Sequence, residues 1–215
     1  MVVLKAKSVT LDEVQRLLGF KLIRHGKFED FLTLAPLEPF EQSSLELITS
    51  ELFDYIENGK ISEGQAQLVA IAPLLRLAGY SRPPIEYRVE ENIATIYIED
   101  HDTHIRGRFD IVAVNRTIQT TSTNLLWILV IESKNIGASE YVGIAQMLTY
   151  AYSSLAHQKR VWGLVTNGAN HQFFYIQNDE ELIYQRMPSL NLLDIDPATK
   201  LLEVLKAIRD WEGDR

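Results

Sequence analysis

The run LLWILVIESKN, Leu125 to Asn135, is among the most apolar in the chain, and it closes on two opposite charges. Its β-branched and aromatic content reads as a strand. Period-two alternation then sends Glu132 and Lys134 to one face and Ser133 to the other. Burying a carboxylate and an ammonium beside a hydrophobic core costs on the order of several kcal/mol unless both find partners. Any fold that accommodates this run must supply those partners at its polar end.

The flanking pattern predicts what surrounds it. A Thr10–Glu13 capping box opens a short helix over residues 10–18, followed by irregular, Pro-containing chain to Pro39. Ser43-Ser-Leu-Glu46 opens a second amphipathic helix that ends near Asn58-Gly59, and Ser62-Glu-Gly-Gln65 opens a third that stops at Gly79, with a kink at Pro73. From Pro84 the period changes to that of strands: IEYRVE, IATIYIED, IRGRFDIVAV and LLWILVIES. A crossover helix is expected over about 139–157, then strands VWGLVT and HQFFYIQ around Asn167-Gly168, strand ELIYQR, and a closing helix from about Pro197 to Trp211. This order predicts an α/β domain with a mixed central β-sheet flanked by helices. Residues 1–40 are expected to form an N-terminal extension packed on a core of residues 41–215.

In IRGRFDIVAV, strand alternation puts Arg106, Arg108, Asp110, Val112 and Val114 on one face. Enough chain separates Asp110 from Glu132 for a strand, a loop and a return strand. If the two strands are neighbours, Asp110, Glu132 and Lys134 meet at one point. Two carboxylates can hold Mg²⁺ through oxygen and leave room for waters and a phosphate. A lysine beside them can act on a water and offset charge building on phosphorus. The same residues also fit a plain Glu–Lys ion pair at a strand end with Asp110 in a separate contact. His101 and His104, in IEDHDTHI, are expected in a solvated turn rather than at a metal.

Composition narrows the classes. With no cysteine, disulfides and thiolate metal sites are excluded, and a reducing, cytoplasmic setting is expected. No apolar run reaches the roughly 18 residues of a membrane helix, and the N-terminus turns polar too early for a signal peptide. The net charge of −8 means that any contact with nucleic acid needs a local basic patch, metal ions or a partner.

Further residues join this set. SEGQAQLVAIAPLLRLAGY, GRFD, IESK, Gln146-Met-Leu-Thr-Tyr150 and GLVTNGANHQFFYI follow one another over about residues 60–178. In that order they resemble the PD-(D/E)XK restriction-endonuclease-like superfamily, and within it the N-terminal nuclease domain of type I restriction R subunits. The resemblance implies a restriction-endonuclease-like core and Mg²⁺-dependent hydrolysis of DNA, with Mn²⁺ as a substitute. It puts Asp110 and Glu132, the Ser133 carbonyl and the helix carboxylate Glu63 at the metal. Lys134 falls to water activation, and Gln146 and Tyr150 to orienting phosphate or carboxylate. Phe109 stands where the family has proline, and His171 near where an aromatic is usual. No Gly-x-x-x-x-Gly-Lys-Ser/Thr loop is present, so ATP-driven translocation is not expected.

On their own physics, Gln146 and Tyr150 share a helix face as i and i+4, which equally makes a polar rim. An acid such as Glu63 is favoured in a first helical turn whatever else it does. The alternative function is a non-catalytic nucleic-acid-binding or assembly module of the same fold. DNA, a second copy in a homodimer, and an additional protein subunit are the expected partners, with no membrane. The faces carrying Phe28, Phe31, Leu32, Phe40 and Phe53 are the candidate dimer surface.

Overall fold

The computed structural model describes residues 2–59, 61–93, 95–98, 103–121, 124–135, 137 and 143–213. His101 and the expected start of the crossover helix lie outside them. Among the described residues the helices and strands follow in the order β1 (Val2–Lys5), α1 (Leu11–Leu18), β2 (Lys21–Ile23), α2 (Pro39–Glu57), α3 (Glu63–Ala66), α4 (Ala72–Leu77), β3 (Ile85–Val89), β4 (Ile96–Ile98), β5 (Thr103–Arg106), β6 (Ile111–Gln119), β7 (Leu125–Ser133), α5 (Ile144–Leu155), β8 (Arg160–Thr166), β9 (Asn170–Asn178), β10 (Leu182–Asn191) and α6 (Ile195–Arg209).

The main sheet is mixed, in the order β2-β10-β9-β8-β7-β6-β3, and a smaller mixed sheet has the order β1-β5-β4. β7 sits inside the main sheet, antiparallel to β6 and parallel to β8, so the chain between β7 and β8 has to cross over one face, as α5 does. Burial explains the composition of β7: Leu129 and Ile131 pack into one layer with α2, α4 and α6, and Val130 into the other with α1 and α5. An ordinary buried aliphatic side chain of this size contributes about 1.5–3 kcal/mol, which offsets the cost of the charges at the strand's end.

Local signals account for most helix ends. Thr10 caps α1 in the expected capping box, and Ser62 caps α3 in another with Gln65. α2 begins earlier than the Ser43 signal suggests, because Pro39 takes the first helical position and Glu38, not Ser43, is the N-cap, in a capping box with Glu41. The kink expected at Pro73 is a π-helical stretch, Gln67–Ile71, joining α3 to α4.

Three expectations are corrected. IRGRFDIVAV is not one strand: Arg106 ends β5 in the small sheet and Ile111 begins β6 in the main one, with residues 107–110 stepping between them. Residues 1–40 hold two short strands besides α1, since β1 pairs parallel with β5 and β2 pairs parallel with β10, while residues 32–38 are the irregular, Pro-containing chain expected. Phe28 and Leu32 do not form a surface; Phe28 is fully buried, its ring stacked on Trp162, and Phe31 stacks on Tyr175 at 4.0 Å. Phe40 and Phe53 on α2 are exposed. No helix among the described residues is long and apolar enough to cross a membrane.

Candidate active site at the end of β7

β6 and β7 run antiparallel with Ile111 opposite Ile131, and one step further places Asp110 beside Glu132. Ser133 closes the link: its backbone N–H and its hydroxyl both donate to Asp110 Oδ2, at 2.8 and 2.9 Å. On that side of the strand, Gln67 Nε2 donates to Ser133 Oγ at 2.6 Å, and Glu63 Oε1 lies 3.5 Å from the same oxygen. The N-terminus of α3 is fixed by Asn135, whose Oδ1 accepts from the Glu63 N–H at 3.0 Å.

The other side carries Glu132 and Lys134. Lys134 Nζ pairs with Glu132 Oε1 and donates to Gln146 Oε1 at 3.3 Å. Gln146 Nε2 in turn donates to the Tyr150 hydroxyl at 2.8 Å. The Lys134 N–H donates to the Thr166 carbonyl at 2.8 Å, extending the β7–β8 pairing one residue past the strand's end. Gly143, just ahead of α5, packs so closely that a Cβ there would stand 2.7 Å from Val165 Cγ1 and 3.1 Å from Glu132 Cγ. Only a hydrogen fits, which allows α5 to bring Gln146 up to Lys134.

The electrostatics of Glu132 set this site apart. Its side chain is fully buried. Burial, and next the charge of Asp110, push its carboxyl well above the usual range; Lys134 offsets part of this, and Glu63 adds to the rise. Its Oε2 is buried with no hydrogen-bond partner. A buried carboxylate oxygen left bare costs about 1–3 kcal/mol or more. A hard divalent cation matches that need, because it would satisfy the bare oxygen and cancel the repulsion between carboxylates. Among the described residues no group of three or more His, Asp or Glu side chains is drawn together tightly enough to hold an ion by itself. The side chains here that could contribute to such a site are Asp110 and Glu132, which would need a backbone carbonyl and water beside them. Glu63 stands behind Ser133, not beside Glu132 Oε2.

Of the residues singled out in the sequence, Asp110, Glu132, Ser133, Lys134, Gln146, Tyr150 and Glu63 all converge here. His104 does not; it lies in β5 with its ring against Tyr97. His171 is buried elsewhere, in β9 opposite Thr166. Gln67 and Asn135 were missed. Gln67 is i+4 from Glu63 and so shares its helix face, a signal the sequence does carry.

No family model matches the chain, and no curated protein matches it. Among solved structures it is similar to a fragment assigned as the HsdR subunit of a type I restriction enzyme from Vibrio vulnificus YJ016, at a TM-score of 0.37 and 19% identity. The match covers 66% of this chain and 25% of that one.

Proposed function

We propose that this chain has a restriction-endonuclease-like core and hydrolyses phosphodiester bonds of DNA with a divalent metal held at the end of β7. The observation that carries the reading is the buried, unpartnered Oε2 of Glu132, whose other oxygen pairs with Lys134 and whose carboxyl feels the charge of Asp110. The choice of DNA comes from the resemblance of residues 60–178 to type I R-subunit nuclease domains.

Asp110, Glu132 and the Ser133 carbonyl are the residues that would hold Mg²⁺, which supplies positive charge at the phosphate and a water of lowered pKa. Ser133 fixes the Asp110 carboxylate through two hydrogen bonds, and Gln67 fixes Ser133. Lys134 would offer its ammonium to the charge that develops as water oxygen bonds to phosphorus and gives up its proton to solvent, while the deoxyribose oxygen leaves with the bonding pair and takes a proton from solvent. Gln146 and Tyr150 hold Lys134 at that point. Burial and the nearby Glu132 charge raise the Tyr150 pKa, keeping its hydroxyl protonated.

The second reading is a non-catalytic DNA-binding module. One observation favours it: the Lys134 ammonium is already engaged by Glu132 and Gln146, as in a structural ion pair. Calorimetric titration with Mn²⁺ separates the carboxylates' role from a structural one. Binding should disappear in Asp110→Ala, weaken in Glu132→Ala, weaken least in Glu63→Gln and survive in Lys134→Ala. Undiminished binding in both Asp110→Ala and Glu132→Ala would remove the metal from this site.

A further inference from the structure

We propose that the cleft between β1 and the Arg106–Arg108 segment is the track that takes the phosphodiester backbone of DNA next to the candidate active site. The proposal rests on the nuclease reading for the identity of the polyanion as DNA, but not for the place where a polyanion binds.

The cleft has a volume of about 560 Å³, and its lining includes Lys5, Lys7, Arg106 and Arg108 together with Asn92 and Gly107. Four cations in one concavity are unexpected on a chain of net charge −8. The pairing of β1 with β5 sets Lys5 directly opposite Arg106. Like charges side by side on neighbouring strands repel each other and are destabilising. Lys5, Lys7 and Arg106 are exposed and form no ion pair among the described residues, while Arg108 shares an exposed pair with Glu90 at 3.4 Å. A fold that keeps two cations face to face without an internal counter-charge is built for an anion from outside. The concave wall concentrates the field those cations produce.

The floor of the cleft ties it to the site. A Cβ at Gly107 would lie 2.7 Å from Ala6 Cβ and 2.8 Å from Tyr150 Cε1, so the strand rests directly on the Tyr150 ring. The Tyr150 hydroxyl accepts from Gln146, which accepts from Lys134. Asp110 follows Arg108 by two residues. One buried side-chain layer thus separates the cation track from the groups assigned to the chemistry. The donors are charged ends of flexible side chains, which suit phosphate oxygens and not base edges, so the track positions the strand without reading its sequence.

The test is fluorescence anisotropy of a short labelled duplex with the intact protein in EDTA, so that neither metal nor cleavage enters the readout. The Lys5→Gln, Lys7→Gln, Arg106→Gln triple variant should lose affinity on the order of tenfold or more near 100 mM KCl. Its slope of log affinity against log salt should flatten by roughly two to three. Glu90→Gln should act in the opposite direction and tighten binding. Neutralising Arg24, Lys27 and Lys159, which are exposed elsewhere, should change affinity much less. A charge-preserving Lys5→Arg, Lys7→Arg, Arg106→Lys variant should bind like the parent, which excludes misfolding as the cause. Equal losses in the two triple-Gln variants, an unchanged salt slope, no binding by the parent protein, or tighter binding to RNA of the same length would each overturn the assignment. The nuclease reading fails separately: binding through the cleft without cleavage in Mg²⁺ or Mn²⁺ leaves the track standing and removes the hydrolysis.

Discussion

At the scale of single residues, the decisive contrast is between two buried ionisable groups that have different fates. Glu132 keeps a bare oxygen in the field of the Asp110 carboxylate, a cost that a bound cation would remove. His171 is buried without a charged neighbour being needed, and burial pushes its pKa down to about 4. Folded, it is neutral; unfolded, it takes up a proton near its ordinary value of about 6.5. Its contribution to stability is therefore present above about pH 6.5 and is lost as pH falls toward 4, by up to about 3 kcal/mol. Denaturant melts between pH 7 and 4 should show this loss, and His171→Gln should flatten it; an unchanged pH slope in the variant would assign the acid sensitivity to other groups. That Asp110 lies next to the end of β7 was legible from the antiparallel return of the chain, but not its side: alternation put it with Glu132 and Lys134, whereas its carboxylate takes the Ser133 N–H and hydroxyl. Gln67 and Asn135 were harder to see, since their roles depend on how α3 docks on the end of β7, which no local pattern encodes.

At the scale of elements, the long strands and the helices with capping boxes could be read directly from hydrophobic period and end signals. β1 and β2 could not, because segments of three or four residues carry too little alternation to stand out. The break inside IRGRFDIVAV was hidden for a different reason. Its alternation continues, but Gly107 must press against Ala6 and Tyr150, and the chain passes from one sheet to the other there. The approach of α5 to the site depends on Gly143 in the same manner. Gly143→Ala would have to displace Val165, Glu132 or Lys134, and a shift of about 1 Å at a reacting centre can cost on the order of a hundredfold. We expect at least a tenfold loss of cleavage rate with a melting temperature only a few degrees lower. A wild-type rate in Gly143→Ala would mean that the placement of α5 against β7 is immaterial to activity.

For the whole molecule, the layers divide the work. α2, α4 and α6 cover one face of the main sheet, while α1, α5 and the small sheet cover the other. The small sheet places the basic cleft one buried layer from the candidate site, and on the proposed reading it would supply the local positive charge that the net −8 otherwise denies. On the proposed reading, one candidate site of this kind is present among the described residues, so a single copy should nick plasmid DNA before linearising it. A second copy docked through exposed Phe40 and Phe53 would favour linear product and a doubled mass in light scattering at micromolar concentration. A single-chain mass together with direct linearisation would contradict the one-site account of cutting. The central claim, that the charges closing β7 perform hydrolysis, meets its most direct test in single-turnover cleavage of plasmid with Mn²⁺ by the parent protein and by Lys134→Ala. The account predicts metal-dependent cleavage that falls by roughly a hundredfold or more in the variant while Mn²⁺ affinity stays nearly intact. Cleavage at an unchanged rate in Lys134→Ala, with only a lowered melting temperature, would contradict it and leave the lysine as the structural partner of Glu132.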